Sequence, residues 1–259
     1  MHRNLSILLL WLLSTAATAS SVQWRFVTED FPPFTYPADA SVSNTAGVGA
    51  AGPFVEVVSA ICARLQYQCT ITLYPWQRAF RLAEQGQVDG IFTLARSPQR
   101  EQIFHISRML DTSRYSVFAQ ADSSFVFNQP TDMAGRLVGV YGPSGTSYVL
   151  SERLKSVPDV RLHLTTDNRR LLRMLQSGRF GVDGLAVLNQ DVAWHLIEEE
   201  RLSGVREAGE MGPISYGIGL SRRTVSTAQF EAFEQALDAA IADGTVPAIL
   251  RRHQLEAAY

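Results

Sequence analysis

Two short segments carry the residues best suited to gripping an anion. In Ser97-Pro98-Gln99-Arg100, serine is a good helix N-cap, proline suits the first helical position and the arginine falls in the first turn. The apolar run VDGIFTL just before it (residues 88–94) reads as a buried strand. That strand should therefore end at a helix N-terminus, whose free N–H groups attract negative charge. A guanidinium there can hold a carboxylate through two parallel hydrogen bonds. The second segment is Gly142-Pro143-Ser144-Gly145-Thr146-Ser147. It follows the strand-like run LVGVY, which ends in Tyr141, and precedes a helical stretch. Its glycines permit unusual dihedrals, and Gly145, Thr146 and Ser147 offer N–H and hydroxyl donors. It lacks the lysine of a phosphate-binding P-loop, so nucleotide binding is not supported.

Other chemistries find little support. The five histidines (His2, His105, His163, His195, His253) are scattered, and no nucleophile elbow, HExxH or clustered acid pair is present. We therefore assign no catalytic residue, no metal site and no cofactor. A formal net charge of −2 over 259 residues supplies no basic field for nucleic acid. Cys62 and Cys69 have no histidine near them in the chain, which argues against a metal. A disulfide between them would close a short loop and stabilise by about 2 kcal/mol.

The elements that must position these groups alternate between strand and helix. Residues 24–28, 69–73 and 88–94 read as strands, and 54–65 and 76–85 as helices; the stretch 37–52, rich in Ala, Ser, Gly and Asn, reads as an exposed loop. The pattern then repeats. Strands are expected at 115–119, 137–141, 160–164, 182–188 and 216–220, and helices at 148–154, 169–176, 191–199, 227–243 and 246–252. Such alternation predicts a mostly parallel α/β sheet. The two sections echo each other: in each, a glycine (Gly86, Gly178) stops a helix and a Val-Asp-Gly opens a strand.

The N-terminus has the three parts of a secretory leader. Arg3 is followed by the apolar run 5–13 and then by Ala17-Thr18-Ala19, a small-residue cleavage pattern. The apolar run is shorter than the roughly 20 residues needed to cross a bilayer. Residues 1–19 are thus expected to be a signal peptide, with the mature chain exported to the periplasm and not membrane-embedded. Export also permits the Cys62–Cys69 disulfide.

With these segments in hand, the chain resembles the family 3 extracellular solute-binding proteins, the periplasmic receptors of polar amino-acid ABC transporters. The resemblance rests on DFPPFTY, GPFVEVVSAICARL, YPWQRAF, EQGQVDG, SPQREQIFHIS, DMAGRLVGVYGPSGTS, LQSGRFGVDGLAV and YGIGLSRR, in that order over the mature chain. Trp76 and Arg78 form a W-x-R pattern like that of a divergent branch. The resemblance implies two α/β lobes: lobe I from 22–110 plus 216–259, lobe II from 114–211. Two segments, near 110–114 and 212–215, would cross between them, and the lobes would close like a hinge on a ligand in the cleft.

The same resemblance assigns roles. Arg100 would hold a ligand carboxylate, with Gly145, Thr146 and Ser147 closing on it from lobe II. Phe31 would form an aromatic wall, joined by Trp76 and Tyr141; Arg78, two positions after Trp76, falls on roughly the opposite side of their helix. The segment 89–100 is one residue shorter than the family pattern. That brings Arg96 toward the cleft and leaves the register of Thr93, Leu94 and Ser97 open. The family usually holds an α-ammonium with an acidic residue just after the strand that here is GLAVL. This sequence has Asn189 at that place and its nearest carboxylate at Asp191. Either Asp191 reaches in, or Glu29 or Asp30 supplies the charge, or the ligand is a small organic acid. The partner would be an ABC permease or, alternatively, a chemoreceptor or histidine kinase. A dehydratase on the same fold is the remaining alternative.

Overall fold

The computed structural model describes residues 22–39 and 47–259; the expected leader and its cleavage site lie outside them. The chain begins with β1 (Gln23–Thr28), β2 (Tyr36–Pro37) and β3 (Val48–Ala51), followed by α1 (Pro53–Arg64), β4 (Gln68–Leu73), α2 (Trp76–Glu84), β5 (Gly90–Ala95), α3 (Pro98–Ile103) and β6 (Phe104–Ile106). It crosses into a second half through β7 (Asp111–Gln120). There it forms β8 (Leu137–Tyr141), α4 (Gly145–Leu154), β9 (Arg161–Thr165), α5 (Asn168–Gln176), β10 (Leu185–Asn189) and α6 (Gln190–Glu199). It returns along the 17-residue β11 (Val205–Ser221) and ends in α7 (Thr227–Ala242) and α8 (Thr245–Arg252).

The strands hydrogen-bond in the order β2-β3-β4-β1-β5-β11-β7-β10-β8-β9. In the first half β4, β1 and β5 are mutually parallel, and β11 pairs antiparallel with β5. In the second, β9, β8 and β10 are parallel, and β7 pairs antiparallel with β10. The halves thus share one plan, three parallel strands bordered by one antiparallel strand. β7 and β11 pair with each other from Val205↔Gln120 to Tyr216↔Asp111 and carry the chain between halves. The sequence-expected strands at 115–119 and 216–220 are the parts buried within each half. The longer observed strands arise because each crossing strand continues as the other's ladder partner.

Core positions follow the expected periods. α1 buries Phe54, Val57, Val58, Ile61 and Cys62 on one stripe, and α5 buries Leu171, Leu172, Met174 and Leu175. β10 is buried at every position, as suits a parallel strand covered on both faces. Cys62 and Cys69 form a disulfide, tying the end of α1 to β4 with Cα atoms 6.2 Å apart.

Three expectations need correction. The stretch 37–52 is not wholly loop: β3 pairs antiparallel with β4, and β2 with β3. Ala and Gly give this edge little strand signature, and it is the exposed ladder of β4 that recruits it. The two Val-Asp-Gly echoes diverge: Val88 is buried, whereas Val182 is 85% exposed and its strand starts only at Leu185. Gly184 packs against Phe180, where a Cβ would come within 2.3 Å of that ring's own Cβ, so the chain turns before it can pair. Finally, the helix expected at 148–154 starts at Gly145. Ser144 and Ser147 form a reciprocal capping box there and draw the glycine turn into the first helical turn.

Candidate functional site

In open α/β sheets, ligands bind beyond the carboxyl ends of the parallel strands. Here the carboxyl ends of β1, β5 and β8 converge on one cleft between the halves. Its lining comprises Glu29 and Phe31 after β1, Thr93 and Ala95 on β5, Arg100 on α3, Trp76 on α2, Tyr141 at the end of β8 and Ser144, Gly145 and Thr146 at the start of α4. Tyr115 and Tyr216, from the two crossing strands, complete it. The cleft encloses about 30 Å³, room for a single water. Glu29 and Tyr141 also line a larger neighbouring cavity of about 460 Å³, together with Asp30, Tyr74, Asp167 and Asn168.

Arg100 is the cleft's cation. Ser97 caps α3 by accepting from the Arg100 backbone N–H at 3.3 Å. The guanidinium donates from Nη1 to the Ala95 carbonyl at 2.7 Å and lies 5.5 Å from the Trp76 ring centroid and 5.8 Å from that of Phe80. A Cβ on Gly145 would sit 3.4 Å from its Nη2, so the glycine lets the second half approach the cation closely. Burial pulls the guanidinium pKa down, opposed by Tyr115, Tyr216 and Glu29. α3 spans six residues, so the side chain rather than a helix dipole supplies the positive charge.

Glu29 is the cleft's carboxyl group. Its Oε2 accepts from the Tyr141 hydroxyl at 2.7 Å, joining the two halves. Enclosure raises its pKa to about 8; the Tyr141 bond and Arg100 oppose that rise and Asp30 adds to it. The Tyr141 pKa rises, first through burial and then through Glu29. Behind the cleft, Phe31 stacks on Phe34 with centroids 5.5 Å apart and meets Tyr216 edge-on at 5.8 Å.

Thr93 resolves the open register. Leu94 and Phe92 pair with the adjacent residues Gly217 and Ile218 of β11, so Thr93 is the extra residue of a β-bulge. Its φ of 56° is unusual for a β-branched residue. Its hydroxyl lies 3.1 Å from that of Thr28. The bulge aims Thr93 at the cleft and leaves Leu94 in the core.

Of the residues singled out in the sequence, Glu29, Phe31, Trp76, Thr93, Arg100, Tyr141, Gly145 and Thr146 thus meet around one cleft; the others are placed elsewhere. Arg78 is exposed and lies over the Tyr74 ring, 4.5 Å from its centroid, because two helical positions carry it away from Trp76. Arg96 turns outward, pairing with Glu101 at 2.6 Å and donating to the carbonyls of Ile106 and Ser107. Ser97 and Ser147 are consumed as helix caps. Asn189 caps α6, accepting from Val192 N at 3.0 Å, and donates to Ser113 Oγ at 2.8 Å and to the Tyr216 hydroxyl at 3.2 Å. Asp191 accepts from Ser113 Oγ behind the cleft. Cleft residues that the sequence did not single out are Ala95, Tyr115, Ser144 and Tyr216. Glu29 directly follows β1, and the carboxyl-end rule could have promoted it. Tyr115 and Tyr216 have no local signal, since their place depends on the pairing of distant strands.

Among the described residues no group of three metal-ligating side chains is assembled, and no helix is long and apolar enough to cross a membrane. Two sheet halves joined by paired crossing strands, with a cation and an acid in the cleft between them, define a two-lobed α/β binding protein. The sequence matches the bacterial extracellular solute-binding proteins, family 3, over residues 25–256, and the chain belongs to that family. No curated protein matches it. Among solved structures, an ancestral arginine-binding protein bound to arginine superposes with a TM-score of 0.76 at 19% identity, covering 89% of this chain and 97% of that one. A histidine kinase sensor domain with similarity to periplasmic binding proteins gives 0.76 at 21% identity, covering 90% and 95%. The GluR0 ligand-binding core from Nostoc punctiforme, in complex with L-glutamate, gives 0.71 at 16%, covering 88% and 98%. These likenesses establish the fold.

Proposed function

We propose that this protein is an exported receptor that closes its two halves on a small amino-acid-like or carboxylate solute, with Arg100 as the carboxylate anchor. One observation carries the reading. Among the described residues the half-buried Arg100 guanidinium lines the cleft, has no ion-pair partner and spends one donor on a backbone carbonyl. A guanidinium has five donors, and withdrawing a cation from water without a counter-charge is costly; a solute carboxylate satisfies both needs. Thr146 and the first turn of α4 come from the opposite half, so they contact a solute fully only on closure. Solute enters an open form, and its extra affinity for the closed form drives the closure. We take residues 110–114 and 212–215, where β7 and β11 run side by side, as the hinge. The binding-protein reading is supported over a dehydratase by the family match, which is to solute-binding proteins.

The test is titration calorimetry on the mature chain with a panel of amino acids and small organic acids, followed by Arg100→Ala. Truncating one member of a buried charge pair costs about 2–5 kcal/mol, so affinity should fall by at least about tenfold. The melting temperature without solute should barely change. Equal affinity of variant and parent removes Arg100 from the site.

Delivery to an ABC permease is the first reading of the protein's output. A signalling role is the second, favoured by the likeness to a kinase sensor domain. Both would read closure, and genes encoding a permease and ATPase, or a kinase, beside this one would separate them.

A further inference from the structure

The hydrogen-bonded order of strands ends in β2 on one side and β9 on the other. β2 is two residues long and holds Pro37, which cannot donate to a further strand. β9 has no such guard: it keeps one regular parallel register with β8 over all five residues, Arg161 to Thr165, without proline or bulge. The Arg161 N–H donates to the Arg136 carbonyl and the Thr165 carbonyl accepts from the Gly142 N–H, both at 3.0 Å. Residues 161, 163 and 165 therefore turn their backbone groups toward β8, and Leu162 and Leu164 turn theirs outward. Among the described residues no strand lies beyond β9 to take them up. The two leucines are 38% and 49% exposed. A Cβ on Gly142 would touch both Leu164 and Ser147, which places Leu164 beside α4, where the neighbouring Tyr148 is also exposed. An apolar edge with a free ladder is what folded proteins ordinarily blunt, since it invites another strand.

We propose that β9 pairs antiparallel with β9 of a second copy of this chain, about a two-fold axis through His163, joining two sheets into one. The run Arg161-Leu162-His163-Leu164-Thr165 carries this choice of partner, because its leucines are symmetric about the histidine. A two-fold interface requires that if one residue meets a second, the second meets the first. Here Leu162 falls opposite the partner's Leu164, and Leu164 opposite the partner's Leu162. Both are outward residues, so each pair exchanges two N–H···O bonds, four in all. His163 meets its own copy between them, on the face away from α4, where its ring centroid lies 5.6 Å from that of Phe180. Charge agrees with this register. Arg161, which forms no ion pair among the described residues, comes opposite the partner's Thr165 and diagonal to the partner's Asp167. Asp167 caps α5 through one carboxylate oxygen, accepting from the Arg170 N–H, and leaves the other for the guanidinium. No two arginines face each other. One strand pair is a small contact, so the dimer is weak and forms at high protein concentration. The pairing is independent of what the cleft holds.

The experiment is analytical sedimentation of the mature chain at micromolar to millimolar concentrations. The parent should pass from one chain to two and no further, since a two-fold pairing uses up the edge. Two double variants locate the contact: Leu162→Lys, Leu164→Lys and Leu162→Glu, Leu164→Glu. Each sets like charges opposite one another and should weaken the dimer at least about tenfold. Mixed in equal amounts, they should restore it as a heterodimer, which also shows that both are folded. Separately, His163→Cys should form a disulfide-linked dimer on oxidation, because a non-hydrogen-bonded pair sets the two Cα atoms about 4.5 Å apart, within disulfide reach. Arg161→Cys, opposite a threonine, should not. Both native cysteines are already bridged to each other. A parent that stays single at every concentration overturns the inference. So does dimerisation unchanged in both double variants, or Arg161→Cys cross-linking as readily as His163→Cys. None of these outcomes bears on solute binding by Arg100.

Discussion

Replacing Asp111 by asparagine should make the protein less stable than its parent in acid and more stable in alkali. Asp111 heads β7 and is 0% exposed, and neither carboxyl oxygen accepts a hydrogen bond. Burial, followed by repulsion from Asp191 and Glu256, raises its pKa from 3.8 to about 8. The native state therefore keeps a proton that the unfolded chain releases above about pH 4. Stability must fall with rising pH between those two values, by about 1.4 kcal/mol per unit, and level off beyond the native pKa. Over the window that reaches on the order of 5 kcal/mol, an upper figure because the site can relax and admit water. Asparagine is neutral throughout and loses none of this. Its amide is instead left with unmet hydrogen bonds, at about 1–3 kcal/mol. Urea unfolding at pH 5, 7 and 9 should show the two stabilities crossing between the extremes. Glu29 titrates over the same range in both proteins, so the difference between them isolates Asp111. A difference that stays constant across pH would refute the argument.

Two further outcomes follow from bonds that join separate parts of the chain. Tyr141→Phe deletes the hydrogen bond across the halves; at about 0.5–1.5 kcal/mol, the closed-to-open ratio without solute should fall by roughly two- to tenfold. Small-angle scattering should then give a larger radius of gyration for the variant, and an identical radius would remove the bond as a latch. The double variant Cys62→Ser, Cys69→Ser opens the loop closed by the disulfide. It should cost about 2 kcal/mol by loss of loop-closure entropy, seen as a lower urea midpoint, and a midpoint matching the parent's would show that the bridge does not restrain the unfolded chain.

Much of the scaffold was legible because its signals are local. The apolar stripe of α1, the glycine stops at Gly86 and Gly178 and the buried run LAVL of β10 each follow from side-chain period and backbone sterics. The cap at Ser97 placed Arg100 correctly on its helix. Illegible parts depended on partners far along the chain. β3, one valine among glycine and alanines, carries little strand signal and exists because β4 offers an open edge. Val182 looked like a strand residue until the packing of Phe180 against Gly184 forced a turn. Arg96 and Arg100 are alike in sequence terms; only the positions of Glu101 and the carbonyls of Ile106 and Ser107 send one outward and leave the other in the cleft.

The sequence by itself determined the alternation of strands and helices, the two-part plan, the cysteine pair and the place of Arg100 in the first turn of α3. These rest on interactions within a few residues or on patterns that repeat. The tertiary structure alone decided which acid faces that arginine. Asn189 and Asp191 are drawn away by Ser113 and Tyr216, whereas Glu29 meets Tyr141 from more than a hundred residues away. A side chain's charge state and direction depend on what surrounds it in space, and that is set only when distant strands pair.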